Sequence, residues 1–537
     1  MKNVVRKNLH RDSVLLLKLS EEAKKIDGIR DAAVVMGTVT NKEILTRLGL
    51  LTEEGKAALD SDMILAVMAD SESEINEGVK RIERMILRPP AAKGRSYYSV
   101  EAAIEAIPDA NLAIVSVPGE YAKDTVRKLL ERGINVQLFS DHVSPEHELE
   151  LKQYAATKGL LVMGSGAGTS LIGGRAIGFG NVIRRGNVGI VAAAGTGLQE
   201  VSVLLSEAGL GVSAGLGTGG GDVRTKIGGL MMLQAIDVLE KDPETSTIVI
   251  VSKPPDPPVL NLLIEHVTRR CKKHYVTCFL GSESCYIPKD AQTRINETKT
   301  LHAAFLEVVR GVDPARHREI MSKFTIRPTE LRILAGGALK GLKREQQYIR
   351  GLYTGGTLAY ETLLVLERLV GDVYSNTPLH SKLKLSNPYQ SVKDSIIDLG
   401  EEEFTSGRAH PMIDPTIRKI RLVEEAKDPG VAVILMDIVL GYGSHPDPAG
   451  AMLSSIAEAK RISNSNGRVL PILAHVCGTE QDPQPLSEQE RKLLEAGVQV
   501  FKTNATMAVA GAMISRRGLL SGEALADVYD SFLGGSG

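Results

Sequence analysis

Tryptophan is absent from the 537 residues, and phenylalanine and tyrosine number only 8 and 13. That scarcity excludes no function by itself. Cysteine is nearly as sparse. Cys271, Cys278, Cys285 and Cys477 form no CxxC pattern, and none pairs obviously with a histidine at ligand spacing. They read as reduced, buried thiols, and no metal is expected. Charge of one sign is missing too: 64 Lys and Arg balance 65 Asp and Glu, so no whole-chain field draws the protein to nucleic acid or an anionic membrane. No apolar run reaches the ~18–20 residues of a membrane helix. The charged start, Met1-Lys2-Asn3-Val4-Val5-Arg6-Lys7, is not a signal peptide, so a cytoplasmic protein is expected.

Glycine is abundant, with 53 residues against an average of about 7%. Two glycine-rich segments share one pattern: Ala194-Gly195-Thr196-Gly197-Leu198-Gln199-Glu200 and Thr354-Gly355-Gly356-Thr357-Leu358-Ala359-Tyr360-Glu361. Each stands where an extended stretch gives way to an apolar helix. A helix start exposes unpaired N–H groups and a partial positive charge, and glycine lets an anion come close. Gly195, Thr196 and Gly197 with Gly355, Gly356 and Thr357 therefore read as two jaws around one phosphate. The bland alternative is a pair of tight turns with capping threonines.

A chain this long should hold roughly three to four domains. Residues 1–88 read as a small α/β unit, followed by a linker at Pro89–Arg95. Residues 98–184 and 185–282 alternate strands and helices as doubly wound parallel sheets do, 283–345 read as a polar helical connector, and 346–537 form a last α/β domain. The fold class is thus α/β, with several Rossmann-like and flavodoxin-like sheets. The tail Gly534–Gly537 is expected to move freely.

Segments Gly186–Gly197, Gly215–Asp222 and Lys241–Thr245 resemble the α subunit of succinyl-CoA synthetase, and Gly351–Thr357 with Ile397–Gly400 resembles the C-terminal domain of its β subunit. Together with Gly351–Leu358 and Gly407-Arg408-Ala409-His410-Pro411-Met412-Ile413-Asp414-Pro415, they resemble the FdrA family from about Arg11 to Gly511. The resemblance implies that both helix starts face one phosphate. It also implies a subunit of oxamate carbamoyltransferase, acting in anaerobic allantoin and purine degradation with two accessory chains. That enzyme converts oxalurate and phosphate to oxamate and carbamoyl phosphate. The synthetase's ATP-grasp domain has no counterpart here. Its phosphohistidine loop is replaced by Gly281-Ser282-Glu283-Ser284-Cys285, and its acidic turn by Ser252-Lys253-Pro254-Pro255. The family's Pro, Asp or Asn, and Cys give way to Ser165, Gly166 and Ala167. The turn Lys7–Ser13, read as the first turn of a CoA-binding Rossmann domain, does not suit close pyrophosphate approach and weighs against CoA.

Other candidates follow from residue type and place. Arg408 could grip a carboxylate or phosphate in two-pronged fashion, and His410 could carry a proton near neutral pH, with Asp414 close by. Asp437 and His475 end apolar strands, where α/β folds bind ligands, and Asp437 joins His410 and Arg408 as a candidate catalytic residue. His445 lies in a glycine loop that serves structure equally well. Gly219, Gly220, Gly221 and Asp222, with Arg224, read as a flexible loop over a substrate or as a turn with a solvated Asp. Three readings stay open: a carbamoyl-transferring subunit using phosphate, a CoA-linked acyl synthetase with a separate nucleotide-binding partner, and a non-catalytic scaffold. An oligomer is expected.

Overall fold

A computed structural model describes residues 1–87, 95–282 and 287–534, so most of the sequence-read linker, Cys285 and the last three residues lie outside the described residues. The chain divides into two compact units, residues 1–96 with 399–424, and residues 97–398 with 425–537.

In the first unit, strands β1 (Lys2–Arg6), β2 (Ile29–Met36) and β3 (Met63–Ala69) form an antiparallel sheet in the order β1-β3-β2. Central β3 is almost wholly apolar and largely buried, while β2 alternates as a strand with one covered face must. Leu16, Leu19, Ile75, Val79 and Ile82 from two helices complete this core. The sequence partition gave residues 399–424 to the last domain, whereas contacts group them here. The Lys7–Ser13 turn also belongs to this antiparallel sheet and not to a Rossmann domain, so the argument against CoA drawn from it falls away.

The second unit holds three sheets. Strands β4 (Leu112–Val115), β5 (Asn135–Leu138) and β6 (Val162–Met163) are parallel. The next sheet takes β7 (Thr169–Ile172), β8 (Arg175–Gly178), β9 (Arg185–Ala192), β10 (Val212–Gly217), β11 (Thr247–Ser252), β12 (His274–Phe279) and β13 (Ile295–Glu297) in the order β13-β12-β11-β9-β10-β7-β8. It is parallel from β13 to β10, and β7 runs antiparallel to both neighbours. The third sheet joins β14 (Tyr348–Tyr353), β15 (Tyr374–Ser375), β16 (Ser395–Asp398), β17 (Val431–Val439), β18 (Ile472–Cys477) and β19 (Gln499–Phe501), all parallel, in the order β15-β16-β14-β17-β18-β19. β17 is buried at all nine positions, as expected of a central strand covered on both faces.

Residues read as a polar connector are in fact built into this unit. β13 extends the seven-stranded sheet, and the Leu301–Val312 helix buries eight side chains, Phe305 and Val309 among them. Gly180 bridges Tyr442, and Asn181 donates to the Leu440 carbonyl and to Asp482, fastening the six-stranded sheet's loops to the seven-stranded half. Among the described residues no helix is long and apolar enough to cross a membrane.

Candidate functional site

The two glycine–threonine segments meet. Each begins a helix at the carboxyl end of a strand, Gly195–Glu207 after β9 and Gly356–Val370 after β14. Thr357 N–H donates to Thr196 Oγ1 at 3.2 Å. A side chain at Gly355 would put its first carbon 3.0 Å from Thr196 Cγ2, and one at Gly197 3.0 Å from Thr357 Cγ2. Thr196 and Thr357 sit in the second helical position, and neither helix receives a side-chain cap from its N-cap residue, Ala194 or Gly355. The threonines therefore do not cap their own helices. Among the described residues the N–H groups of Gly195, Thr196, Gly197 and Gly356 find no acceptor, which leaves them for an outside one.

Two carboxylates and one ammonium border the second start. Asp437, fully buried on β17, accepts from Thr354 N–H at 2.8 Å and Gly355 N–H at 2.6 Å, and also from the Thr354 hydroxyl. It shapes the turn, and its oxygens are engaged, so its expected catalytic role becomes one of positioning. Asp398, at the end of β16, lies against Gly356, and Lys253 Nζ stands 3.8 Å from its Oδ2. Reading the sequence named Lys253 only as a replacement and passed over Asp398, although an Asp closing an apolar strand is the same signal that singled out Asp437.

Behind the jaws lies a second correspondence. Glu200 and Glu361 are each the sixth residue of their helix, and both are buried. Glu200 pairs with His475 Nε2 at 2.8 Å, while His475 Nδ1 lies 3.1 Å from the Phe501 carbonyl. Burial alone would lower the His475 pKa, but the Glu200 charge and hydrogen bond, with the Phe501 carbonyl and the Glu361 charge, together outweigh it and the net shift is upward. Glu361 accepts from Leu301 and His302 N–H and from Asn504, and burial raises it to about 7. The Glu following each glycine turn at equal spacing was the available sequence signal.

The remaining candidates resolve differently. Asp222 is neither solvated nor in a flexible loop. It is fully buried, accepts from Met231 and Met232 N–H, and pairs with Lys152 Nζ at 3.0 Å. Lys152, itself inaccessible, also reaches Glu148 at 2.7 Å and the Thr218 carbonyl at 2.9 Å, and Glu148 accepts from Ser165. Gly220–Val223 is a short 3-10 turn, and a side chain at Gly219 would strike the Ser165 carbonyl. The loops at 164–168 and 218–223 are thus one braced frame. Arg224 is exposed and pairs with Asp256. His445 Nδ1 accepts from Asp447 N–H, which closes a turn.

Arg408, His410 and Asp414 fall in the first unit, whereas both helix starts and Asp437 fall in the second. Arg408 donates to Asn41 and pairs with Asp414, both ion-pair partners being buried. The cavity bordering them measures about 60 Å³, far below the ~300 Å³ at which ligand pockets begin. His410 is half-buried, its Nδ1 accepts from Met412 N–H, and desolvation lowers its pKa to about 4. It is therefore neutral at pH 7 and does not carry a proton there. Because the unfolded chain binds that proton near pH 6.5 and the folded one only near 4, this group weakens the fold progressively as pH drops through that window. Histidine-resolved NMR should place its midpoint near 4; a midpoint near 6.5 would contradict the neutral assignment.

Comparisons with known proteins cut across this division, because the CoA-ligase match includes residues 399–424. A CoA-ligase family model matches residues 352–514, and a model described as AllF, heavy metal-associated domain, matches residues 1–102. The chain is 31% identical over 160 residues to the α subunit of ADP-forming succinate–CoA ligase from Methanothermobacter thermautotrophicus, covering 29% of this chain and 53% of that one. It is 23% identical over 231 residues to the SauD subunit of ADP-forming sulfoacetate-CoA ligase from Bilophila wadsworthia, covering 42% and 70%. A solved dinucleotide-forming acetyl-coenzyme A synthetase from Ca. Korarchaeum cryptofilum aligns over 80% of this chain and 88% of its own, at 16% identity and a TM-score of 0.33. None of these names carries carbamoyl transfer. The uncharacterized protein YahF of Escherichia coli is 43% identical over 502 residues, spanning 93% of this chain and 95% of its own. The chain belongs to the family of YahF, with a succinyl-CoA synthetase-like CoA-ligase domain and an AllF-type N-terminal domain.

Proposed function

We propose that this protein is a subunit of a CoA-ligase-type enzyme in which inorganic phosphate is a reactant held between the Gly195 and Gly356 helix starts. The supporting observation is the contact of two uncapped helix N-termini whose leading N–H groups have no acceptor among the described residues. In the CoA reading, a phosphate oxygen attacks a thioester carbonyl, the C–S bond breaks, and the products are an acyl phosphate and CoA thiolate. The reverse direction makes the thioester. Fixed N–H dipoles stabilise the negative charge that gathers in either transition state without reorganising. In this reading nucleotide chemistry comes from a partner chain, since the stretch between the two synthetase-like blocks is too short for an ATP-grasp domain.

A second reading applies the same attack to the carbamoyl carbon of oxalurate. The C–N bond breaks, the departing nitrogen takes a proton, and carbamoyl phosphate and oxamate result, with two accessory chains as in FdrA-like systems. What favours it is the state of His475, buried near the jaws with both ring nitrogens engaged and thus unsuited to accept a phosphoryl group.

The two readings separate in one experiment. The chain, mixed with its accessory proteins, is followed by phosphorus NMR with oxalurate and phosphate, and in parallel with ATP, CoA and short carboxylic acids. Thioester formation supports the first reading and carbamoyl phosphate the second. Absence of phosphate binding by calorimetry, together with no product in either arm, would overturn both.

A further inference from the structure

The description of residues 1–102 as heavy metal-associated implies a metal ion, and the donor set here does not fit one. Soft heavy-metal ions are held by thiolates, thioethers and imidazoles. This stretch contains no cysteine, and its sole histidine is His10. Among the described residues no group of three His, Cys, Asp or Glu is placed to hold a metal. The turn between β1 and the first helix is cationic, with Arg6, Lys7 and Arg11, and its one carboxylate, Asp12, is spent capping Val14 and Leu15 N–H. Met36 and Met63 are sealed in the core.

The unit does hold something else. Thr38 and Thr40 hydroxyls donate to the carbonyls of Ser406 and Glu403, at 3.2 and 3.1 Å, and buried Asn41 donates to the Gly407 carbonyl at 3.0 Å. Asn41 Oδ1 in turn accepts from Arg408 at 3.1 Å, and Arg47 pairs with Glu424. Gly407 has φ +68°, and a side chain there would come within 2.6 Å of Thr38 Cγ2. Three donors from one helix end thus read three backbone carbonyls of a polypeptide, and the Arg408–Asp414 pair locks that strip's conformation.

We infer that the N-terminal unit is a metal-independent module whose ligand is a polypeptide segment, residues 399–424 of its own chain, recognised mainly through backbone carbonyls. The glycine–arginine strip that looks catalytic in sequence is then the docked ligand.

Two measurements on the full chain test this. After incubation with Zn²⁺ or Cu⁺ and desalting against a weak chelator, elemental analysis should find far less than one equivalent of metal and an unchanged melting temperature. One retained equivalent, lost in His10→Ala, would overturn the inference. Separately, Asn41→Ala should speed amide hydrogen exchange across residues 403–416 by about tenfold or more, with smaller changes in β4–β6. Should Asn41→Ala fail to fold, Thr40→Val should show the same pattern at smaller amplitude. Unchanged exchange across 403–416 in a folded variant would overturn the docking assignment.

Discussion

Replacing Lys152 by methionine should destabilise the second unit by about 3–5 kcal/mol, the range seen when one partner of a buried ion cluster is removed. The ammonium is wholly inaccessible and joins Glu148, Asp222 and the Thr218 carbonyl. Without it two carboxylates are left facing each other across a volume that water does not enter. The effect should show as a lower urea midpoint and as faster exchange in the loops at 164–168 and 218–223. Combining Lys152→Met with Asp222→Asn should recover part of the loss, because one stranded charge disappears; such non-additivity is the mark of a shared network. A loss under about 1 kcal/mol would mean that the cluster is hydrated and that Lys152 does not brace these loops.

Gly356→Val should weaken phosphate binding at least tenfold, and any phosphate-dependent turnover by about a hundredfold, equivalent to roughly 2.7 kcal/mol. The new side chain would meet the Asp398 carboxylate and lie against Lys253 Nζ, in the space through which an anion reaches the second helix start. Calorimetric titration with phosphate reads the binding term even while the organic substrate is unidentified. Circular dichroism and the melting temperature separate this from loss of fold. Equal phosphate affinity in wild type and a folded Gly356→Val would show that the second helix does not touch the anion. Thr357→Ser, which keeps the hydroxyl and the N–H bonded to Thr196 Oγ1, should bind nearly as wild type.

The sheets and both helix starts were legible because hydrophobic runs and glycine turns are local signals. Val431–Val439 and Thr247–Ser252 are buried along their whole length, as their composition requires. What escaped the sequence depends on partners far along the chain. Asp222 looks like any loop aspartate until Lys152 arrives from a helix about 70 positions earlier to bury it. His410 looks titratable until desolvation is counted, and Arg408 looks available until Asn41 and Asp414 occupy it. Asp437 and His475, expected to end their strands, lie two residues inside β17 and β18, and only the structure shows the Asp437 oxygens turned on Thr354 and Gly355 N–H. The connector reading failed for a similar reason. Charged surface residues mask the apolar face with which Leu301–Val312 enters the core.

The return of residues 399–424 to the first unit fixes an order of events during synthesis. Translation delivers residues 1–96 early, yet Thr38, Thr40 and Asn41 wait for carbonyls 363 to 368 residues further on, about 18–73 s at usual elongation rates. For that interval the nascent first unit presents an unfilled polar face, open to a chaperone or to the wrong strand. A ribosome stalled between β14 and β16 would therefore hold a protein whose earliest-made part is still unfinished. Truncations that stop short of Glu424 should expose the N-terminal residues to proteolysis even though every one of them has been made.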